Sequence, residues 1–152
     1  MNDEIVVNKW TVIFLVDSIQ PKKVILLRRS PKKSFAPNWY TGIGGKVGDL
    51  LEYKNESVLE SAYRELAEET NNSLTKNNIH LNEFARARFL NKDYSLFYFW
   101  GIYSNKNLPD FNLNDGKVEW IDTSKLLSRK IIPTTEVVCK EWKKNNFNLT
   151  NK

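Results

Sequence analysis

Residues 57–70 constrain the fold more tightly than any other stretch of this chain, because two unlike faces are written onto one run. Ser57 followed three residues later by Glu60 is a capping box, in which each side chain satisfies a free amide of the first helical turn. Leu59, Ala62, Tyr63 and Leu66 recur at i, i+3, i+4 and i+7, an apolar stripe that requires a core to lie against. Glu65, Glu68 and Glu69 stand at i, i+3 and i+4 and share another face of the same helix. At about 100° per residue, the stripe centres roughly 100° from Glu65, so the acidic face is expected to rise beside the core. Asn71 can close the helix in a left-handed conformation. Glu60 and Arg64 form an i, i+4 pair of favourable orientation, worth only ~0.3–0.5 kcal/mol at an exposed surface.

Three carboxylates so close repel one another unless a cation sits between them. The pattern therefore suggests a site for a hard, oxygen-seeking divalent ion, with Mg²⁺ expected first and Mn²⁺ as the substitute. The plain alternative is a solvated, charge-rich helix face, which is what most charge runs are. Two features weigh against it. A Gly44-Gly45 turn precedes the helix, and Arg64 stands directly before the first clustered carboxylate. An arginine there can hold a carboxylate by bidentate hydrogen bonds.

These residues resemble the signature of the Nudix hydrolase family, which runs Gly, five residues, Glu, seven residues, Arg-Glu-aliphatic-any-Glu-Glu-any-Gly-aliphatic. Glu56, seven residues and then Arg64-Glu65-Leu66-Ala67-Glu68-Glu69-Thr70 match its helical half. Ten residues rather than five separate Gly45 from Glu56, so 48–55 hold an insertion. Asn71-Asn72 replaces the closing Gly-aliphatic pair. The insertion lies before the cap and leaves the helix register untouched, whereas taking Glu52 as the first signature glutamate would break the spacing to Arg64. Asn tolerates positive φ better than most residues, so Asn71 is a mild replacement for glycine. Neither departure removes a carboxylate.

The resemblance implies an α/β fold, a Nudix-type α/β/α sandwich with a mixed β-sheet between helices. It implies one Nudix domain over 1–152, with the signature loop-helix-loop at about 44–72. It implies Glu65 and Glu69 as metal ligands, Glu68 as third ligand or base, and the Gly44 carbonyl as a further ligand, since glycine lets the backbone approach an ion closely. Glu65, Glu68 and Glu69 are thus the expected catalytic residues, and Gly45, Glu56 and Arg64 support the motif. The expected reaction is Mg²⁺-dependent hydrolysis of a diphosphate bond in a nucleoside triphosphate or related nucleotide, 8-oxo-dGTP-like ones included, giving a monophosphate and pyrophosphate. Metals neutralise the charge that builds on phosphoryl oxygens and acidify the attacking water, and a carboxylate can act as base. Hydrolysis of a nucleotide sugar, dinucleotide or RNA 5′ end stays open, as does a non-catalytic nucleotide-binding role.

The substrate end is expected from the segment before the signature. Arg28 and Arg29, after an apolar strand, suit phosphate or base, or are simply a polar strand end. Phe35 and residues 39–47, with Thr41 and Lys46 among them, resemble the pre-motif region of Nudix enzymes that cleave oxidised purine nucleoside triphosphates. Thr41 stands where those enzymes carry a base-reading Asn, and Ile43 replaces an aromatic. Thr cannot make a bidentate amide contact, which weakens the 8-oxoguanine reading and leaves another purine open. Asp115 and Glu119 lie where some relatives carry a further metal-binding or base-activating carboxylate, with an exposed surface role as the alternative. Tyr98 and Phe99 alternate across a strand, so one is expected in a pocket and the other in a core.

Elsewhere 11–16 and 23–27 read as strands covered on both faces, with a turn at 17–21 and a polar segment over 28–38. Residues 83–90 and 96–103 read as two more strands, a hairpin through 91–93, and 118–121 as a short one. Pro133 opens a last helix over 134–144, with Val137, Val138, Glu141 and Trp142 at helical spacing. At 152 residues and 41% apolar the chain has room for a proper core. No apolar run nears the ~20 residues of a bilayer span, and residues 1–4 lack the start of a signal peptide. A lone Cys139 permits no internal disulfide and fits a reducing cytoplasm, and the lone His80 is expected on a strand or loop. The net charge of +5 includes Lys140, Lys143, Lys144 and Lys152, read as a solvated helix face and tail. The alternative of RNA binding through this helix predicts steeply salt-dependent binding. The expected partner is a small nucleotide, with no membrane and no nucleic acid, and the resemblance leaves a homodimer open.

Overall fold

A computed structural model describes residues 8–48, 51–89, 94–112, 114 and 116–149. Its first strand, β1 (Asn8–Val16), shows why the architecture has three layers. Ile13 and Leu15 enter one core and Val12, Phe14 and Val16 enter another on the opposite face. The next strand, β2 (Lys23–Arg29), divides in the same way, with Ile25 and Leu27 on one side and Val24 and Leu26 on the other. Strands apolar on both faces must be covered on both faces, as their near-continuous hydrophobicity predicts.

The remaining elements are β3 (Tyr40–Thr41), α1 (Val58–Glu69), β4 (Asn82–Phe89), β5 (Tyr94–Ile102), β6 (Gly116–Asp122) and α2 (Pro133–Lys144). The sheet order is β3-β2-β1-β5-β4, with β6 on the other flank of β2. Among the described strand pairs β1 and β5 run parallel, in register from Asn8 opposite Tyr94 to Val16 opposite Ile102, and the others run antiparallel. The sheet is mixed, as expected. Ala62 and Leu66 of α1 cover one face, and Val138, Cys139 and Trp142 of α2 cover the other.

Where β2 leaves β1 to pair with β3, the first half of β1 takes a different neighbour. The Ile13 N–H donates to the Ile43 carbonyl at 2.6 Å, and Val47 N–H donates to Lys9 at 2.8 Å. Residues 43–47 are thereby stitched along β1. Gly44 lies against Thr11 of β1 and Gly45 against Glu65 of α1.

Ser57 accepts from the Glu60 amide and Glu60 from the Ser57 amide, so the capping box forms as read. Asn71 and Asn72 are both left-handed, at φ 52° and 64°, and end α1. The buried face differs from the expected stripe. It comprises Ser61, Ala62, Glu65 and Leu66, while Leu59 is 45% exposed and Tyr63 is half-buried, its hydroxyl accepting from the Leu81 amide at 2.9 Å. The helix is therefore rolled toward its acidic side, and Glu65 is buried instead of standing beside the core. In α2 the inward residues are Thr135, Val138, Cys139 and Trp142, and Val137 is 63% exposed. Leu90, the turn over 91–93, Asp49 and Leu50 of the insertion, Asp115, residues 1–4 and Lys152 lie outside the described residues. No described helix is long and apolar enough to cross a membrane.

Candidate active site

Glycine explains how a carboxylate comes to be buried here. The Thr11 amide donates to the Gly45 carbonyl at 2.9 Å and fixes the loop on β1. A Cβ on Gly44 would collide with the Thr11 carbonyl, and one on Gly45 would fall 2.5–2.7 Å from the Glu65 carboxyl atoms. Real Cβ contacts are not that short. The bare Gly45 backbone is thus the seat of the Glu65 carboxylate, which is only 6% exposed. Among the described residues nothing donates to the Gly44 carbonyl, while Thr11 occupies that of Gly45.

Arg64 is the hub of the carboxylates. Its Nε and Nη2 donate to the two oxygens of Glu56 at 2.9 and 2.7 Å, the bidentate geometry that suits a planar guanidinium. Its Nη1 donates to Glu65 at 3.2 Å and to both oxygens of Glu68 at 3.2 Å. Nη2 also reaches the Lys46 carbonyl at 3.4 Å, and the Tyr53 ring lies over the guanidinium at 4.1 Å. Glu56 takes a further hydrogen bond from the Gly48 amide at 2.9 Å. The hydrogen bonds from Arg64 hold the Glu56 carboxyl below its ordinary range, against a smaller opposing effect of burial. Hydrogen bonding by Glu56 in turn raises the already high pKa of Arg64.

Glu68 is the open member of the set, with its side chain 48% exposed. Glu69 sits in the last turn of α1, where its carbonyl accepts from the Asn112 amide at 2.7 Å and its Oε2 atom is buried. Among the described residues no three acidic, His or Cys side chains converge into a ready-made metal cage. Arg64 itself is the cation lying between Glu65 and Glu68. The donor set nevertheless fits a hard divalent ion: carboxylate oxygens on one helical face, and backbone carbonyls in the glycine loop packed against one of them.

The structure brings together Gly44, Gly45, the Lys46 backbone, Glu56, Arg64, Glu65 and Glu68. Arg28, Phe35 and Thr41 make no contact with this group among the described interactions. Arg28 is exposed at the end of β2, opposite Tyr40 and Lys117. Arg29 donates through Nε and Nη2 to the Phe35 carbonyl at 3.2 and 3.0 Å and stacks on that ring, while Phe35 is 64% exposed. Thr41 shares a hydrogen bond with Thr135 of α2 at 3.0 Å, and Thr135 shares another with the Tyr98 hydroxyl at 3.1 Å.

Glu119 is half-buried and accepts from the Tyr40 hydroxyl at 3.1 Å on both oxygens, so it is no free surface carboxylate. Burial and then the Glu119 charge push the Tyr40 hydroxyl up. Tyr98 and Phe99 are both buried, in opposite cores, and Phe99 also borders a cavity lined by Leu81, Phe84 and Trp100, remote from the carboxylates. Burial pushes the Cys139 thiol up to about 12, which suits a core residue and not a nucleophile. His80 is exposed on a loop.

Sequence reasoning passed over Tyr53. No periodicity marks it, because it lies in the insertion; an aromatic ring shortly before the motif arginine was the only signal available.

Residues 9–141 match the NUDIX domain family model. The chain belongs to the Nudix family. No curated protein matches the sequence. Among solved structures, a protein from Deinococcus radiodurans is similar at 22% identity and TM-score 0.69, over 88% of this chain and 81% of the other. The MutT protein from Methanosarcina mazei is similar at 18% identity and TM-score 0.64, over 91% and 94%. The E. coli dihydroneopterin triphosphate pyrophosphohydrolase is similar at 16% identity and TM-score 0.63, over 91% and 95%. These likenesses are of fold. Nudix membership indicates a pyrophosphohydrolase of a family that generally uses divalent metal ions.

Proposed function

We propose that this Nudix domain is a Mg²⁺-dependent pyrophosphohydrolase of a nucleoside triphosphate or closely related nucleotide, releasing a monophosphate and pyrophosphate. The observation that carries the reading is the Glu65 carboxylate seated against Gly45, on the helical face that also bears Glu68 and Glu69. Glu65, Glu69 and the Gly44 carbonyl would hold the ion, with Glu68 as third carboxylate. A bound divalent cation there neutralises phosphoryl charge and acidifies the attacking water. The protein's own part is positional. Arg64 fixes Glu65 from the side, and Glu56 fixes Arg64. Glu68, half in solvent, would serve as the third ligand or as the base that takes a proton from the attacking water.

A triphosphate is favoured because one similar structure is named for dihydroneopterin triphosphate and another is a MutT protein. The range includes 8-oxo-dGTP-like nucleotides, although the Thr41 hydroxyl is engaged with Thr135 and offers no amide edge to a base. The test is a hydrolysis screen with and without Mg²⁺ across normal and oxidised nucleoside triphosphates, nucleotide sugars, dinucleotides and capped RNA. Glu69→Gln is run alongside. Metal-dependent release of pyrophosphate from a triphosphate, lost in the variant, is the expected result. Equal activity of wild type and Glu69→Gln on every substrate would overturn the assignment.

A further inference from the structure

The insertion that separates this chain from the usual signature spacing folds back over the motif arginine. A short 3-10 turn at Leu51–Tyr53 is closed by the Glu56 amide, which donates to the Tyr53 carbonyl at 2.9 Å. Tyr53 and Glu56 are therefore parts of one turn, and both act on Arg64. Glu56 takes the edge of the guanidinium through two hydrogen bonds. Tyr53 takes its face, 4.1 Å from ring centroid to Cζ. The remaining edge goes to Glu65, Glu68 and the Lys46 carbonyl. Its in-plane donors hold the guanidinium at its edges, and the ring covers one face, so tilting toward that side is blocked. A cation over an aromatic face at this distance is attracted as well as confined.

We propose that Tyr53 is a positioning residue supplied by the insertion: by clamping the face of Arg64 it holds Glu65 and Glu68 in the arrangement the metal requires. The inference rests on the metal-site reading above and extends it to a residue outside the family signature. A longer loop is thereby turned from a disturbance of the motif into part of its support.

The test measures Mn²⁺ binding to the free protein by electron paramagnetic resonance, without substrate, together with the NMR exchange rate of the Arg64 Nε–H. The ringless variants are Tyr53→Leu and Tyr53→Gln, and the ring-retaining ones are Tyr53→Phe and Tyr53→Trp. Ringless variants are expected to bind Mn²⁺ about two- to fivefold more weakly and to exchange the Arg64 proton faster, while the ring-retaining ones match wild type. In an Arg64→Gln background, Tyr53→Leu should cause no further loss, because its effect passes through the guanidinium. Unchanged binding in the ringless variants, equal weakening in Tyr53→Phe, or additive losses in the double variant would each overturn the proposal. So would loss of fold in both ringless variants alone, which would make the ring a structural prop. If wild type binds no Mn²⁺, the metal reading fails by itself. The exchange rate then decides the clamp, and equal rates in wild type and Tyr53→Leu would refute it.

Discussion

At the scale of single residues, the absence of a side chain does as much as any charge. Glu65 was placed beside the core by its position on the helical wheel, yet it is buried. The wheel knows only the helix; the burial comes from Gly45, twenty residues away in sequence, presenting bare backbone to the carboxylate. The two glycines therefore predict different failures. Gly45→Ala puts a methyl 2.5 Å from Glu65 Oε1 in a backbone conformation that alanine accepts, since Gly45 is not among the positive-φ residues. The carboxylate moves and turnover should fall about 100-fold, the usual consequence of ångström-scale misplacement, with a small change in melting temperature. Gly44→Ala sets its methyl against the backbone of Thr11 at φ 158°, and nothing there can yield. It should lower the melting temperature clearly more. Kinetics and thermal melts of the two variants check the split, and equal melting temperatures would refute it.

At the scale of elements, the strands and helices were legible within two residues, save that β1 begins three residues early, because their signals are local: near-continuous apolar runs in β1 and β2, a capping box on α1, a proline opening α2. The two-residue β3 was not legible, nor was the parallel pairing of β1 with β5, because each is defined by a distant partner. The insertion is of the same kind. Its turn has meaning only through α1, to which Glu56 ties it by the bidentate bond to Arg64. Both side chains are mostly buried, 12% and 8% exposed, so breaking the pair by Glu56→Gln should cost about 3 kcal/mol near neutral pH. The pH dependence follows from the direction of the shift. Glu56 is held below the ordinary carboxylate value of 4.5, so its contribution is complete above that value and disappears as pH falls through the lower folded one. Denaturation of wild type and variant should show a constant gap from pH 7 down to about 5, closing in stronger acid. A gap still undiminished at pH 3 would mean that Glu56 acts by packing and not by charge.

At the scale of the whole molecule, the site depends on two cores that do not touch across the sheet but share its strands. Ile13 and Leu15 enter the core beneath α1, and Val12, Phe14 and Val16 enter the core beneath α2. The loop that seats Glu65 is hydrogen-bonded along this same β1. Damage to either core must therefore reach the strand that holds the loop, even when it begins on the face away from the carboxylates. Leu66 lies in the first core and Leu126 in the second, and both are fully buried. Each leucine-to-alanine change should cost about 2–5 kcal/mol. Because β1 and β2 belong to both cores, the two variants should lower the same single transition. In urea, circular dichroism and tryptophan fluorescence should give coincident curves, with midpoints shifted and slopes unchanged. The Leu126 variant is the sharper case. If it melted the α2 side while the amides of 43–47 kept their wild-type hydrogen-exchange protection, the two faces would be independent, and the view of β1 as their common support would be wrong.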